Sequence, residues 1–232
     1  MNKFRWLRVY ALFFGVVFSG TAVCLGFRPE NAVIALVTKV VQNVERKKET
    51  ADWMKAAKGD LLNSGDAVKT GSKSLAIIKF TTDNSILRVR EQSLLKLNNE
   101  ASAKNIDLDH GAFGFDVHKQ KENEHFRFTS PTAVASIRGT QGKLSGSKDG
   151  DTLVVVEGIV NFRNTISNKS VDVGSGTIGF SKPDGSLDSR KATEQELADA
   201  AAVATGSGSN QLKIELKDSK GNKKELKIEF KK

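Results

Sequence analysis

The sequence has few of the residues on which metal and thiol chemistry depend, with one Cys and three His among 232 residues. One Cys excludes a disulfide within the chain and any site that needs several cysteine ligands. His110, His118 and His125 are eight and seven residues apart, a spacing that matches no compact metal motif. We therefore expect solvated or turn histidines, no metal site and no cofactor.

Motifs typical of enzymes are also missing. The sequence contains no G-x-S-x-G elbow, no H-E-x-x-H pair and no P-loop. Asp107, Asp109 and Asp116 could share a region, but acid–base catalysis by carboxylates needs a cleft that the sequence does not predict. We expect a protein that is not an enzyme, and a hydrolase with an unrecognised carboxylate pair is the weakest alternative.

Basic residues outnumber acidic ones, since the sequence has 36 Lys and Arg but 27 Asp and Glu, which gives a net charge of +9. A solvated surface accounts for this excess most simply. Attraction to an anionic cell-wall polymer or to a membrane surface is the alternative. Only one Tyr and two Trp are available for base stacking. We therefore expect no nucleic-acid partner.

Residues 1–27 are typical of an export segment. Three basic residues come before an uncharged run of 19 residues over 9–27. As a helix this run covers about 28 Å, close to the hydrocarbon thickness of a bilayer. Residues 1–27 are thus either a cleaved signal peptide or an N-terminal membrane anchor, and the remaining chain is exported. The single Cys, Cys24, lies in this segment, so residues 28–232 carry no thiol and a net charge of +6.

The body of the chain has the pattern of short strands. Period-two alternations are interrupted by turn residues, and Phe113, Phe115 and Val117, for example, share one face. The apolar run Leu153–Val156 suits a strand that is covered on both sides. We predict an all-β fold over 32–190, with short antiparallel strands in an elongated twisted sandwich or solenoid-like body.

Turn residues mark several strand boundaries. Asp149-Gly150 and Pro183-Asp184-Gly185 predict tight reversals, and Glu157-Gly158 predicts a bulge or a bend. Residues 51–58 are consistent with one helical turn or with an edge strand.

The C-terminal region differs from the body. Thr193 and Glu196 form a capping-box pattern before an Ala-rich run, which predicts one helix followed by a Gly/Ser linker within 191–210. Residues 211–232 alternate apolar and charged residues on both sides of Gly221-Asn222, which predicts a terminal β-hairpin. Because a lone hairpin is marginally stable in water, its apolar face should pack on the body or on a partner.

Four segments, taken in order, carry a family resemblance. Residues 65–74 read GDAVKTGSKS, residues 80–87 read FTTDNSIL, residues 130–140 read SPTAVASIRGT and residues 155–160 read VVEGIV. Together they resemble the FecR domain, an extracytoplasmic β-rich module of bacteria, although Asn84 replaces the usual Gly of a D-G-S turn. The resemblance extends roughly over residues 35–180. It implies a set of signature residues, expected to be structural: Gly65, Asp66, Thr70, Gly71, Pro131, Arg138, Gly139, Thr140, Glu157 and Gly158.

The resemblance also implies a function. The family is named for a membrane regulator that has a cytoplasmic anti-sigma region, one membrane helix and this periplasmic domain, and that relays an iron-citrate receptor signal to a sigma factor. Because only eight residues precede the apolar run here, we expect a stand-alone exported module that lacks the anti-sigma region.

Such a module would be a non-catalytic protein-interaction or envelope-signalling scaffold. Its partner would be another envelope protein, in the periplasm or on the outer surface of a bacterium. A cell-wall or polysaccharide-binding protein is the alternative.

The run Arg138-Gly139-Thr140 has a mainly structural interpretation from the residues themselves. The Arg138 guanidinium could satisfy carbonyl groups where turns meet. Gly139 would let the backbone bend, and the Thr140 hydroxyl would cap the turn. Contact between Arg138 and a ligand is the alternative.

Overall fold

Short strands dominate the computed structural model, which describes residues 33–49, 51–100, 103–120 and 125–206, together with the backbone of 211–217 and 223–229. Within these ranges the chain forms 19 strands and one helix. The strands are β1 Val33–Val41, β2 Val44–Lys47, β3 Met54–Lys55, β4 Leu61–Asn63, β5 Ala67–Thr70, β6 Leu75–Phe80, β7 Ile86–Val89, β8 Leu94–Asn99, β9 Ala103–Val117, β10 His125–Thr129, β11 Ala133–Ile137, β12 Thr140–Ser147, β13 Gly150–Glu157, β14 Ile159–Asn164, β15 Ser170–Gly174, β16 Thr177–Ser181, β17 Leu187–Lys191, β18 Gln211–Lys217 and β19 Lys223–Glu229. The helix is α1 Glu194–Thr205.

The first 17 strands form one mixed sheet that is folded over into two layers. Sheet one has the order β4-β1-β6-β7-β9-β12-β13-β16-β17. Sheet two has the order β3-β2-β5-β8-β9-β10-β11-β14-β15. Strand β9 belongs to both, because residues 103–110 pair in sheet two and residues 111–117 pair in sheet one. Neighbouring strands are antiparallel except for β9 and β10, which are parallel.

The chain passes between the two sheets at short corners. Eight pairs of consecutive strands, beginning with β1 and β2 and ending with β15 and β16, lie in different sheets and are joined by one to five residues. Positive φ angles recur at these corners, as at Gln42, Gln92, Gly139, Gly158 and Gly176. Each corner turns the strand direction while the chain continues into the other layer, which produces a twisted sandwich. The predicted all-β fold is confirmed.

The core lies between the two sheets and is rich in phenylalanine. Phe113 and Phe115 of sheet one lie 5.0 and 5.1 Å from Phe128 of sheet two, and Phe80 lies 4.8 Å from Phe126, all in edge-to-face geometry. All five side chains are fully buried. Edge-to-face pairs add to the free energy of apolar burial, so these contacts hold the two layers together. The predicted inward face of Phe113, Phe115 and the buried Val117 is confirmed.

Helix α1 packs on the outer face of sheet one. The capping box predicted at Thr193 and Glu196 is present, and the helix ends at Gly206 with φ 73°. A Cβ on Gly114 would lie 2.5 Å from the Val203 carbonyl oxygen, so glycine allows the helix backbone to approach β9 closely. Under the helix, Val154 joins a second, smaller apolar cluster, while Leu153 and Val155 face the main core. The predicted coverage of Leu153–Val156 on both sides is confirmed.

The terminal hairpin and one edge strand also match sequence predictions. Strands β18 and β19 are antiparallel, with Leu212 opposite Ile228 and Ile214 opposite Leu226. Packing of the hairpin's apolar face on the body or on a partner stays a prediction. Of the two alternatives for residues 51–58, the edge strand is present as β3.

The predicted export segment, residues 1–27, lies outside the described residues. The described part of the chain has no helix that combines the length and the apolar character needed to cross a bilayer.

Candidate functional site

The signature residues Gly65 and Asp66 form a turn that is tied to a neighbouring strand. Gly65 has φ 91° and donates its N–H to the Leu97 carbonyl at 2.7 Å. The Asp66 side chain is buried and accepts the N–H of Asn63 at 2.9 Å. The Asp66 carbonyl in turn accepts the Leu97 N–H at 2.9 Å. Both residues therefore hold the turn through hydrogen bonds within the fold.

Thr70 and Gly71 connect three adjacent corners. The buried Thr70 hydroxyl donates to the Arg90 carbonyl and accepts the Ser93 N–H at 3.0 Å. Gly71 donates its N–H to the Asn43 carbonyl at 2.9 Å. A Cβ on Gly71 would lie 3.2 Å from the Asn43 side chain, so the close packing of these corners favours glycine.

The two later signature segments contact each other. Gly139 has φ 68° and Gly158 has φ 94°, so both bend the backbone, as predicted. A Cβ on Gly158 would lie 2.8 Å from Thr140 Cγ2 and 3.0 Å from the Gly139 carbonyl oxygen. The segments around 138–140 and 157–158, which lie far apart in sequence, therefore meet at one pair of corners. Glu157 is exposed beside this contact.

The contacts predicted for Arg138 and Thr140 are absent from the described part of the structure. The Arg138 side chain is exposed, and within the described part of the chain it makes no hydrogen bond or ion pair. The Thr140 hydroxyl is buried without a hydrogen-bond partner, while its methyl group packs against the Gly158 corner. The strand pattern in the sequence predicts which side chains point outward or inward. It does not predict which groups become their hydrogen-bond partners in the fold.

A buried polar cluster around Asp151 was missed by the sequence analysis. Asp151 is 2% exposed, and its Oδ2 accepts bonds from the Ser130 hydroxyl at 2.8 Å, the Thr132 N–H at 2.7 Å and the Thr132 hydroxyl at 2.6 Å. Ser181 joins this cluster by donating to the Thr132 carbonyl at 2.9 Å. The signature residue Pro131 lies between Ser130 and Thr132 and is itself exposed. The Pro-led segment is therefore anchored by Asp151.

An ion pair near the core was also not predicted. The Lys104 ammonium lies 2.7 Å from an Asp83 carboxylate oxygen and 4.9 Å from the centre of the Phe126 ring. Burial raises the pKa of Asp83, but hydrogen bonds from Lys104, Ser85 and Gln120 lower it by more, so the net pKa lies below its ordinary value. The pair stabilises the fold at neutral pH, and this contribution is lost as the pH falls through the pKa that Asp83 has in the folded chain.

The structure separates Asp116 from the other two candidate carboxylates. Asp107 and Asp109 lie on the part of β9 in sheet two, whereas Asp116 lies on the part in sheet one. Asp107 accepts a bond from Asn98 at 2.6 Å, and Asp116 accepts one from Gln141 at 3.0 Å. Among the described residues, no three side chains of His, Cys, Asp or Glu are placed to hold a metal ion.

An apolar groove of about 510 Å³ lies on the outer face of sheet two. Its lining includes Trp53, Leu94 and Pro131, together with the charged residues Lys96, Asp107 and Asp109. Trp53 is 36% exposed although it is a large apolar side chain. Its ring is held in part by the ammonium of Lys69, which lies 5.7 Å from the ring centre. We refer to this surface as the apolar groove. No single segment of the sequence could reveal it, because its lining comes from five separate parts of the chain.

The fold and its surface features define an all-β sandwich with anchored corners and an apolar groove. Comparison with known proteins finds one family match within the chain. Residues 66–161 match the model of the family described as FecR protein, so the chain contains a FecR segment and the resemblance drawn from the motifs is confirmed. The matched range includes every signature residue except Gly65.

Two solved structures are similar in fold. They are crystal structures, at 2.50 and 1.65 Å resolution, of a proposed anti-sigma factor from Parabacteroides distasonis ATCC 8503. Each is 10% identical to this chain with a TM-score of 0.49, and the aligned part covers 56% of this chain. The chain spans 61% of the length of these structures. No curated protein matches the sequence.

Proposed function

We propose that this chain is a non-catalytic, extracytoplasmic FecR module that recognises another protein of the cell envelope through the apolar groove. The match to the FecR family supports a role in signalling rather than in catalysis. The predicted export segment supports the location. The observation that carries the proposal is the exposed apolar wall formed by Trp53, Leu94 and Pro131.

The composition of the groove favours a protein segment as the partner. A tryptophan beside aliphatic walls is typical of the residues that contribute most to protein–protein binding. Lys96, Asp107 and Asp109 in the lining carry charges of both signs, which would orient a partner segment. The groove therefore fits a short segment with apolar side chains and polar flanks.

The proposal is tested by photocrosslinking of the full-length chain in its native cells. A photoreactive phenylalanine analogue replaces Leu94 inside the groove, and the same analogue replaces Ile159 as the control. Ile159 is 67% exposed and apolar but does not line the groove. We expect one envelope protein to crosslink to position 94 and not to position 159, as identified by mass spectrometry.

A second substitution separates specific recognition from contact by chance. Trp53→Ala should weaken formation of the crosslinked product by about tenfold, since truncation of a central aromatic residue commonly has this effect. Equal crosslinking at positions 94 and 159, or a product that is insensitive to Trp53→Ala, would contradict the proposed groove. A partner that resides in the cytoplasm would contradict the proposed location.

A further inference from the structure

A second groove, with a different chemical character, lies on the outer face of sheet one beside the C-terminal half of α1. Its volume is about 650 Å³. Leu75, Ile77 and Val203 supply apolar wall, and a set of basic side chains surrounds them. These basic residues, which define what we call the basic groove, are Lys39, Arg88, Arg90 and Lys143.

The basic groove has an excess of positive charge that the described residues do not neutralise. Asp199 is the acidic residue in its lining, and its carboxylate already accepts a bond from Gln195 at 2.9 Å. Within the described part of the chain, the side chains of Lys39, Arg90 and Lys143 make no ion pair or hydrogen bond. By contrast, Arg46 and Arg190 elsewhere are paired with carboxylates at 2.7 Å.

Arg88 is held in place at one side of the groove. One of its terminal nitrogens donates to the Ala204 carbonyl in the last turn of α1. Burial lowers the pKa of Arg88, and the charge of Asp116 on the neighbouring strand raises it in part. An arginine stays charged in a protein, so this partly buried cation would be stabilised by an anion in the groove.

We propose that the basic groove binds a small organic anion with at least two acidic groups. Four cations line the groove beside apolar side chains, and charge-assisted hydrogen bonds from such cations to acidic oxygens are stronger than neutral ones. The volume lies within the range of small-molecule sites. The shared chemistry is that of carboxylate or phosphate oxygens, and the proposal is independent of the protein partner proposed for the apolar groove.

Calorimetric titration of the full-length chain in a nonionic detergent tests this site. The probes are inorganic pyrophosphate and glutarate, and acetate serves as a ligand with one charge. We expect saturable binding of at least one of the two multivalent probes, with acetate weaker by about tenfold or more. Preference for pyrophosphate would assign the site to phosphate ligands, and preference for glutarate would assign it to carboxylates. Lack of binding by both at about 50 mM salt would overturn the proposal.

Paired variants distinguish a specific site from general attraction to a basic protein. The double variant Arg90→Gln with Lys143→Gln removes two groove charges and spares Arg88. The matched control, Lys148→Gln with Arg163→Gln, removes two exposed charges that line neither groove. We expect the groove variant to lose about tenfold or more in affinity and the control to change by less than about twofold. Similar losses in both variants would show attraction by net charge alone and would contradict a built site.

Discussion

At the scale of single residues, Asp151 anchors the segment around Pro131 through hydrogen bonds to one of its carboxylate oxygens. A buried carboxylate without partners would destabilise the folded state, whereas hydrogen bonds to its charged form offset the desolvation. Here one carboxylate oxygen accepts three bonds from the segment around Pro131. The residue thus fixes the start of β11 against β13 and β16.

Asp151→Ala should lower the free energy of unfolding by about 3 kcal/mol, because it leaves the Thr132 N–H buried without its acceptor. Asp151→Asn should cost less, since the amide oxygen can still accept bonds. The measurement is urea unfolding followed by circular dichroism. Asp149→Ala is the control, because Asp149 is exposed in the adjacent turn. Equal stability of the Asp151→Ala and Asp149→Ala variants would rule out the anchoring role.

The sequence predicted the backbone roles of glycines better than the contacts of polar side chains. Gly139 and Gly158 bend the backbone as expected, because the need for glycine is a local property of the chain. The prediction for Arg138 was wrong in its contacts, and the roles of Asp151 and Lys104 were not predicted. Their partners lie about 20 residues away in sequence, and local patterns do not specify such pairs.

At the scale of elements, the start of α1 is stabilised by a carboxylate with several donors. Glu196 accepts two bonds from the Arg190 guanidinium, at 2.7 and 2.9 Å, and one from the Thr193 N–H at 2.8 Å. The bonds from Arg190, then those from Thr193, lower the pKa of Glu196 to about 2 from the ordinary 4.5. The N-terminus of the helix is therefore joined to β17 by an ion pair whose carboxylate, that of Glu196, becomes protonated in acid.

The helix start should become less stable as the pH falls from about 4.5 toward 2. A carboxyl whose pKa is lowered by folding stabilises the folded state above its unfolded pKa, and this contribution disappears as the group is protonated. The measurement is an NMR titration of the Glu196 carboxyl, together with amide exchange in the first turn of α1. Glu196→Gln is the control, since glutamine keeps a capping side chain but does not titrate. A Glu196 midpoint near 4.5 would contradict the predicted coupling.

Element type was largely predictable, but element length and pairing were not. Short strands, the helix cap and the terminal hairpin follow from local periodicity and turn residues. Strand β9 has 15 residues and changes sheets within its length, whereas the sequence predicted one face over 113–117. The parallel pairing of β9 with β10 was also not predicted, because periodicity sets the face of a strand and not its neighbour.

At the scale of the whole molecule, the passage of β9 from one sheet to the other depends on the backbone conformation of one residue. Gly111 has φ 99° at this point. A Cβ there would lie 2.5 Å from Ser93 Cα. The Ser93 hydroxyl also bonds the Ala112 N–H at 2.9 Å. Side chains at position 111 are therefore disfavoured by both the backbone conformation and the adjacent corner.

Gly111→Ala should lower the free energy of unfolding by about 3 kcal/mol, since it combines a strained φ with displacement of the Ser93 backbone. The loss should appear in a single unfolding transition, because the main core is shared by both sheets. Thermal unfolding monitored by circular dichroism and by tryptophan fluorescence provides the measurement. Gly174→Ala is the control, as its Cβ would meet no atom within 4 Å. Equal effects of the two substitutions would contradict the role of Gly111.

The sharing of β9 also determines how ligands can act on this molecule. The apolar groove and the basic groove lie on opposite outer faces of the sandwich, with the phenylalanine core between them. Occupancy of one face therefore leaves the other sterically open, so that two bound species need not compete. Strand β9 is one direct connection between them, since its residues 107–109 line the first groove and its residues 113–116 pair with β7, the strand that carries Arg88 of the second groove.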